Sequence, residues 1–280
     1  MSDKAVSRVK RVRKPKTRKF YRLGPDYRTG GAPPYEIENA VKLYWPGLIS
    51  MSPRQGRRAF PDYPEPPRVL FDRKSHRPPR DLEDCAGYWL ISDRAKQLFE
   101  TLDSRGFAFF KCETRFTNGE SGPDYFLCDV VRELDALDEQ ASRRFEIRHD
   151  SEGRKYSFKM DASLVFKEDV VGAAHIFHVA YFGPVICDQS LRDAWKAAGL
   201  KGIWFHEVFH PEFDEIGTIT ALPRHPNSGT VRLGRRKEAL FHGTVLEAFG
   251  GSLNVGDTVR AIGQYDRNYR FFSVHRLERI

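Results

Sequence analysis

Apolar and polar positions divide the chain into three unlike stretches. Residues 1–19 show no apolar period, which predicts a disordered arm. Phe20-Tyr21-Arg22-Leu23 reads as the first strand. Residues 24–80 are rich in Pro, Gly and Arg, with Pro61, Pro64, Pro66, Pro67, Pro78 and Pro79 among them. That composition predicts long loops wrapping the surface rather than regular elements.

From Gly87 the pattern sharpens. Tyr88-Trp89-Leu90-Ile91 is a short apolar strand, Ser92 or Asp93 offers an N-cap, and Ala95, Leu98, Phe99 and Leu102 recur at helical spacing. Gly106 closes the helix and Phe107-Ala108-Phe109-Phe110 opens a strand. The same grammar returns later: Pro184-Val185-Ile186 as strand, Asp188 as cap, Leu191, Ala194, Trp195 and Ala198 as stripe, then Gly199, Gly202 and Ile203-Trp204-Phe205. The two units are either an internal duplication or a chance likeness. Between them lie a strand around Pro123–Val131 and a carboxylate run from Glu133 to Glu139, which puts Asp135, Asp138 and Glu139 on one helical or turn face. Further strands are expected at Tyr156–Met160 and His175–Phe182.

Charge refines this division. Residues 1–19 hold nine Lys/Arg against Asp3, or +8, which equals the formal net charge of the whole chain. Residues 217–280 hold ten against five, or +5, so residues 20–216 carry 8 − 8 − 5 = −5. An acidic body is therefore flanked by basic ends. The arm could condense on phosphates or merely solubilise the chain. No apolar run reaches the roughly 20 residues of a membrane span, and no apolar leader opens the chain. Cys85, Cys112, Cys128 and Cys187 lack C-x-x-C spacing and fit free buried thiols in a reducing compartment.

One motif invites a specific chemistry. Trp204-Phe205-His206-Glu207-Val208-Phe209-His210-Pro211 contains His-Glu-x-x-His, a zinc-peptidase signature when it lies on a helix. Here it continues an aromatic strand, and Pro211 biases His210 away from the α region. On a continuous strand the two histidines would stand roughly 13 Å apart, at about 3.3 Å per residue. The metzincin continuation is also missing, because Phe213 and Ile216 occupy its Gly and His positions. The sequence therefore predicts no metal site, no cofactor and no peptidase. No nucleophile–base pair or phosphate loop suggests another enzyme.

Several stretches carry a family resemblance: "KFYRLGPDY", "DYFLCDVVRELDALDE", "IFHV" and "ICDQSLRDAWKAAGLKGIWFHEV". Together, over roughly residues 18–212, they resemble immunity-protein family eleven of bacterial polymorphic toxin systems. The resemblance implies a cytoplasmic bacterial protein that binds and neutralises a cognate toxin delivered by neighbouring cells, without catalysis. The acidic body suits a basic partner such as a nuclease toxin. Glu133, Asp135, Asp138 and Glu139 are the candidate toxin-binding residues.

The C-terminal stretch "GTITALPRHPNSGTVRLGRRKEALFHGTVLEAFGGSLNVGDTVRAIGQYD" resembles a cold-shock domain, which implies a five-stranded OB-type barrel. Such domains stack bases on exposed aromatics. At the stacking positions this chain has Ala221, Ser228, Thr230, Leu240 and Gly243, and it retains His242. Arg235, Arg236, Lys237, His242, Arg267 and Arg270 remain as possible phosphate contacts, enough for weak, salt-sensitive binding. The expected fold is α+β: a mixed immunity-type body over 20–213 and an OB-like β-barrel over 215–280. A single-stranded nucleic-acid-binding protein using the arm and the barrel is the rival reading.

Overall fold

The computed structural model describes residues 18–28, 33–44, 50–51, 58–75, 77–151, 153–181, 183–223, 228–234 and 237–280. The first elements are β1 (Phe20–Pro25), β2 (Tyr35–Ile37), α1 (Ala40–Leu43), β3 (Arg68–Phe71), β4 (Leu82–Cys85), β5 (Tyr88–Ser92) and α2 (Asp93–Asp103). There follow β6 (Phe107–Lys111), β7 (Glu113–Phe116), β8 (Tyr125–Val130), β9 (Glu133–Leu134), β10 (Arg143–Asp150), β11 (Gly153–Ser163) and α3 (Glu168–Val171). The body closes with β12 (Ile176–Val179), β13 (Val185–Asp188), α4 (Gln189–Ala197) and β14 (Ile203–Glu207). The barrel comprises β15 (Glu212–Ala221), β16 (Gly229–Leu233), β17 (Lys237–Phe241), α5 (Gly243–Phe249), β18 (Thr258–Asp266) and β19 (Phe271–Arg279). The mixed α+β content agrees with the sequence.

The two repeated units share one topology. The first lies in a sheet ordered β4-β5-β8-β6, the second in a sheet ordered β14-β1-β13-β12-β9. In each, a hairpin leads into a helix and then a strand parallel to the second hairpin strand. A single antiparallel strand separates those two: β8 between β5 and β6, β1 between β13 and β14. The inserted strand comes from downstream in one unit and from the chain's beginning in the other. Both helices start as expected, Ser92 Oγ accepting from Ala95 N–H (3.3 Å) and Asp188 Oδ1 from Leu191 N–H (3.1 Å).

Strand alternation assigns the cores. Ile91, Cys128, Tyr21 and Cys187 point inward with α2 and α4 into one shared cluster, where Phe99 and Trp195 are fully buried. The opposite sheet faces are covered separately. Leu90 and Leu127 pack beneath the β2-β3-β7 sheet, and Ile186 and Phe177 beneath the β10-β11 ribbon. All four thiols are buried and free, and burial pushes Cys85 and Cys112 up to about 12.

Two expectations are corrected, and one strand had not been expected. Residues 24–80 are not only loops, since Leu43, Met51, Val69 and Phe71 from this stretch are buried in a core cluster. Their strands are too short to show a period. The β10 strand escapes a hydrophobic-pattern reading because its sequence, RRFEIRHD, is mostly charged and exposed. Arg18 and Lys19, assigned to the arm by composition, are held at the body. The Arg18 guanidinium meets Asp188 Oδ2 at 2.9 Å and Lys19 Nζ lies 3.9 Å from Glu207. Residues 1–17 lie outside the described residues.

The C-terminal strands form a closed barrel, β15-β16-β17-β19-β18, with β18 returning to β15. The pairing of β17 with β19 is parallel and the others antiparallel. Its core draws on residues from Phe213 onward. Among the described residues no helix is long and apolar enough to cross a membrane.

Candidate functional site

The carboxylate run is extended rather than helical. Glu133 and Leu134 form the edge strand β9 beside β12. The chain then pairs with residues 165–167: Leu137 bridges Phe166, Asp138 N–H donates to Val165 O (2.9 Å) and Lys167 N–H to Ala136 O (2.8 Å). These pairings hold Ala136 and Leu137 at 0 % exposure. The four acids consequently differ. Asp138 Oδ1 accepts from the backbone N–H of Gln140 (3.1 Å) and Ala141 (3.0 Å) and fixes the following turn. Glu139 accepts from the Tyr156 hydroxyl and pairs with Arg154 of the ribbon; these contacts hold its carboxyl below the usual range. Glu133 and Asp135 are exposed, and their carboxylates meet the Arg58 guanidinium (3.5 Å) and the Tyr181 hydroxyl (3.3 Å) respectively. These two have charge to offer a partner.

Beside this segment lies a cavity of about 300 Å³. Phe20, Leu164, Phe166 and Phe209 supply apolar wall, with Arg18, Glu168, Glu207 and Arg267 at its edges. Val165 and Phe166, which pair with Asp138 and Leu137, also line the cavity. Phe209 is 46 % exposed. The lining residues are scattered from Arg18 to Arg267, which is why no local pattern reveals the pocket.

Among the described residues, the barrel's candidate phosphate contacts have different partners. Arg235 and Arg236 lie outside the described residues. Lys237 Nζ pairs with Glu215 (2.9 Å) and lies over the Phe272 ring. Arg267 pairs with Glu207 of the body (2.6 Å), while Arg270 is exposed in the β18–β19 turn at φ 58°. His242 serves as N-cap of α5, its Nδ1 accepting from Thr244 N–H at 3.3 Å. Tyr265 and Phe272 pack on each other with centroids 4.8 Å apart.

The His-Glu-x-x-His motif is indeed non-helical: His206 and Glu207 end β14. The 13 Å separation expected of a continuous strand does not hold, however. The strand stops at Glu207, and the ring centroids of His206 and His210 stand 6.0 Å apart. Asp266, at the end of β18, completes a group whose possible ligand atoms all lie within 4.8 Å of one another. Burial pushes the His206 imidazole below its ordinary range, opposed by Asp266 and assisted by His210 and Arg22. Asp266 is distant in sequence and gave no signal.

Buried ion pairs elsewhere are structural. Asp103 takes Arg132 and the backbone N–H of His175 (2.8 Å), and Glu83 takes Arg77 and Arg80. For both acids burial opposes ionisation, yet these donors outweigh it and hold the carboxyl low.

Among curated proteins none matches the chain. A family model does match: that of the Imm11 immunity proteins, over residues 19–210, from the foot of β1 to the second histidine of the motif. With most of its length covered, and the whole doubled body within the match, this chain belongs to the immunity protein family Imm11.

Proposed function

We propose that this protein binds and neutralises a cognate toxin delivered by neighbouring bacteria, acting stoichiometrically in the cytoplasm and without catalysis. The family match over residues 19–210 carries this reading, because it spans the body from β1 through β14. The toxin is bound by the body, through Glu133 and Asp135 and through the Phe209 cavity. An apolar pocket supplies an anchor, and exposed carboxylates steer a basic partner such as a nuclease. Arm and barrel are accessory.

The barrel is read as an OB-type domain of cold-shock kind. In support, its strands follow the order first-second-third-fifth-fourth, and a helix lies between the third and fourth. Apart from His242 the base-stacking positions are not aromatic, which favours a structural or protein-binding use of this barrel over single-strand recognition.

The test is protection. Cells expressing the toxin encoded beside this gene should grow when the full chain is co-expressed, and the two proteins should co-purify. A chain lacking residues 1–17 should protect equally. Growth without co-purification, or protection lost with the arm alone, would overturn the assignment to the body.

A further inference from the structure

The group formed by His206, His210 and Asp266 lies where body and barrel meet. His206 comes from β14, His210 from the connector and Asp266 from β18. They are 8 %, 1 % and 2 % exposed, so three polar side chains converge out of water. Each is fixed from behind. Asp266 Oδ1 accepts from the backbone N–H of Asn268 (2.8 Å) and Tyr269 (3.0 Å), which leaves Oδ2 for another partner. The His210 backbone is tied to β11, its N–H donating to Ser163 Oγ at 3.0 Å. The edges of Trp204 and Tyr269 confine the His206 ring, at 4.9 and 5.9 Å between centroids. His206 Nδ1 is buried and has no hydrogen-bond partner among the described residues.

An orphaned buried nitrogen costs about 1–3 kcal/mol, so this arrangement asks for a ligand. Two imidazoles and one carboxylate form a donor set for borderline divalent ions, Zn²⁺, Co²⁺ or Ni²⁺, rather than for the oxygen-seeking Mg²⁺ or Ca²⁺. Donors on one tetrahedral zinc lie about 3.3 Å apart, given bonds of ~2.0 Å. The observed limit of 4.8 Å is therefore closed by small side-chain rotations.

We propose that His206, His210 and Asp266 bind one divalent transition-metal ion of zinc type, which staples the barrel to the body. The seam already carries directional contacts: Glu207 N–H donates to Asn268 Oδ1 (2.8 Å), and Asn268 Nδ2 donates back to Glu207 O (3.0 Å). A metal would lock the same turn through the neighbouring residue. The motif thus contributes its two histidines without the helix that a peptidase needs, and its Glu207 faces Arg267 instead of a water.

The experiment uses the full chain. Protein from zinc-supplemented culture should retain about one equivalent of Zn²⁺ after desalting, and Co²⁺ should produce an intense tetrahedral visible band. His206→Gln and Asp266→Asn should each fall below about a tenth of an equivalent; the amide introduced by Asp266→Asn keeps the oxygen that accepts from the turn. Chelator should lower the melting temperature of the unaltered protein and leave that of Asp266→Asn unchanged. An unaltered protein with neither zinc nor a tetrahedral Co²⁺ band would reduce the group to a buried polar cluster and end the proposal. Full zinc content in both variants would do the same. The Co²⁺ spectrum needs no variant, so it decides even if the substitutions prevent folding.

Discussion

Phe99 of α2 and Trp195 of α4 stack with ring centroids 5.5 Å apart and planes inclined by 25°, joining the two repeated units through their helices. Both are fully buried, so truncation leaves a cavity as well as removing apolar surface. Phe99→Ala or Trp195→Ala should each cost about 3–5 kcal/mol. The double variant should cost less than the sum, because the residues touch. Urea denaturation followed by circular dichroism measures all three, and additive losses would show that the stack carries no coupling.

Gly202 holds the second unit against the first. Its φ is +105°, and a Cβ there would stand 2.0 Å from Leu82 O. Gly199 has φ +66° with nothing near its added Cβ. Gly199→Ala should therefore cost about 1 kcal/mol, the left-handed penalty alone. Gly202→Ala should cost several-fold more, because backbone must also move. Paired thermal melts test the ranking.

His178 gives a pH dependence with a defined sign. Burial, aided by the Arg58 charge, pushes its pKa down to about 4. The unfolded chain, with a histidine near 6.5, therefore binds the proton first as pH falls. Stability should drop between about pH 6.5 and 4, by roughly 2–3 kcal/mol from this group. His206 contributes in the same direction. His178→Leu should flatten the dependence in that window when unfolding is followed in urea; an unchanged slope would assign it elsewhere.

Toxin association should depend on the exposed Glu133 and Asp135 more than on the half-buried Asp138 and Glu139. A Glu133→Lys, Asp135→Lys double variant should slow association about tenfold with a basic toxin and change dissociation little. Phe209→Ala should do the reverse, speeding dissociation, since it removes an apolar anchor without unfolding the protein. Surface plasmon resonance separates the two rates. Asp138→Lys is a poor test, because it breaks a turn.

Single-stranded DNA should bind weakly and through charge alone. For contact with two or three phosphates, affinity should fall about 7- to 20-fold between ~50 and ~200 mM salt. Fluorescence anisotropy with a labelled oligonucleotide is sufficient. Tight, salt-tolerant binding lost on His242→Ala would restore the nucleic-acid rival.

The sequence by itself determined the helices and strands of the repeated units, because their stripes, caps and glycines act over a few residues. Ser92, Asp188 and Gly199 could be assigned roles without a partner in view. It also carried the family, through ordered motifs spread from Lys19 to Val208. Only the tertiary structure decided which strand is inserted into each unit, since β1 reaches β13 from the other end of the body. It separated the exposed acids, Glu133 and Asp135, from the half-buried Asp138 and Glu139, which one-dimensional charge counting treats alike. And it brought His210 back to His206 and added Asp266. A period predicts spacing only while the strand lasts; where the chain leaves it, distance is set by what the loop packs against, here Ser163 on one side and the β18–β19 turn on the other.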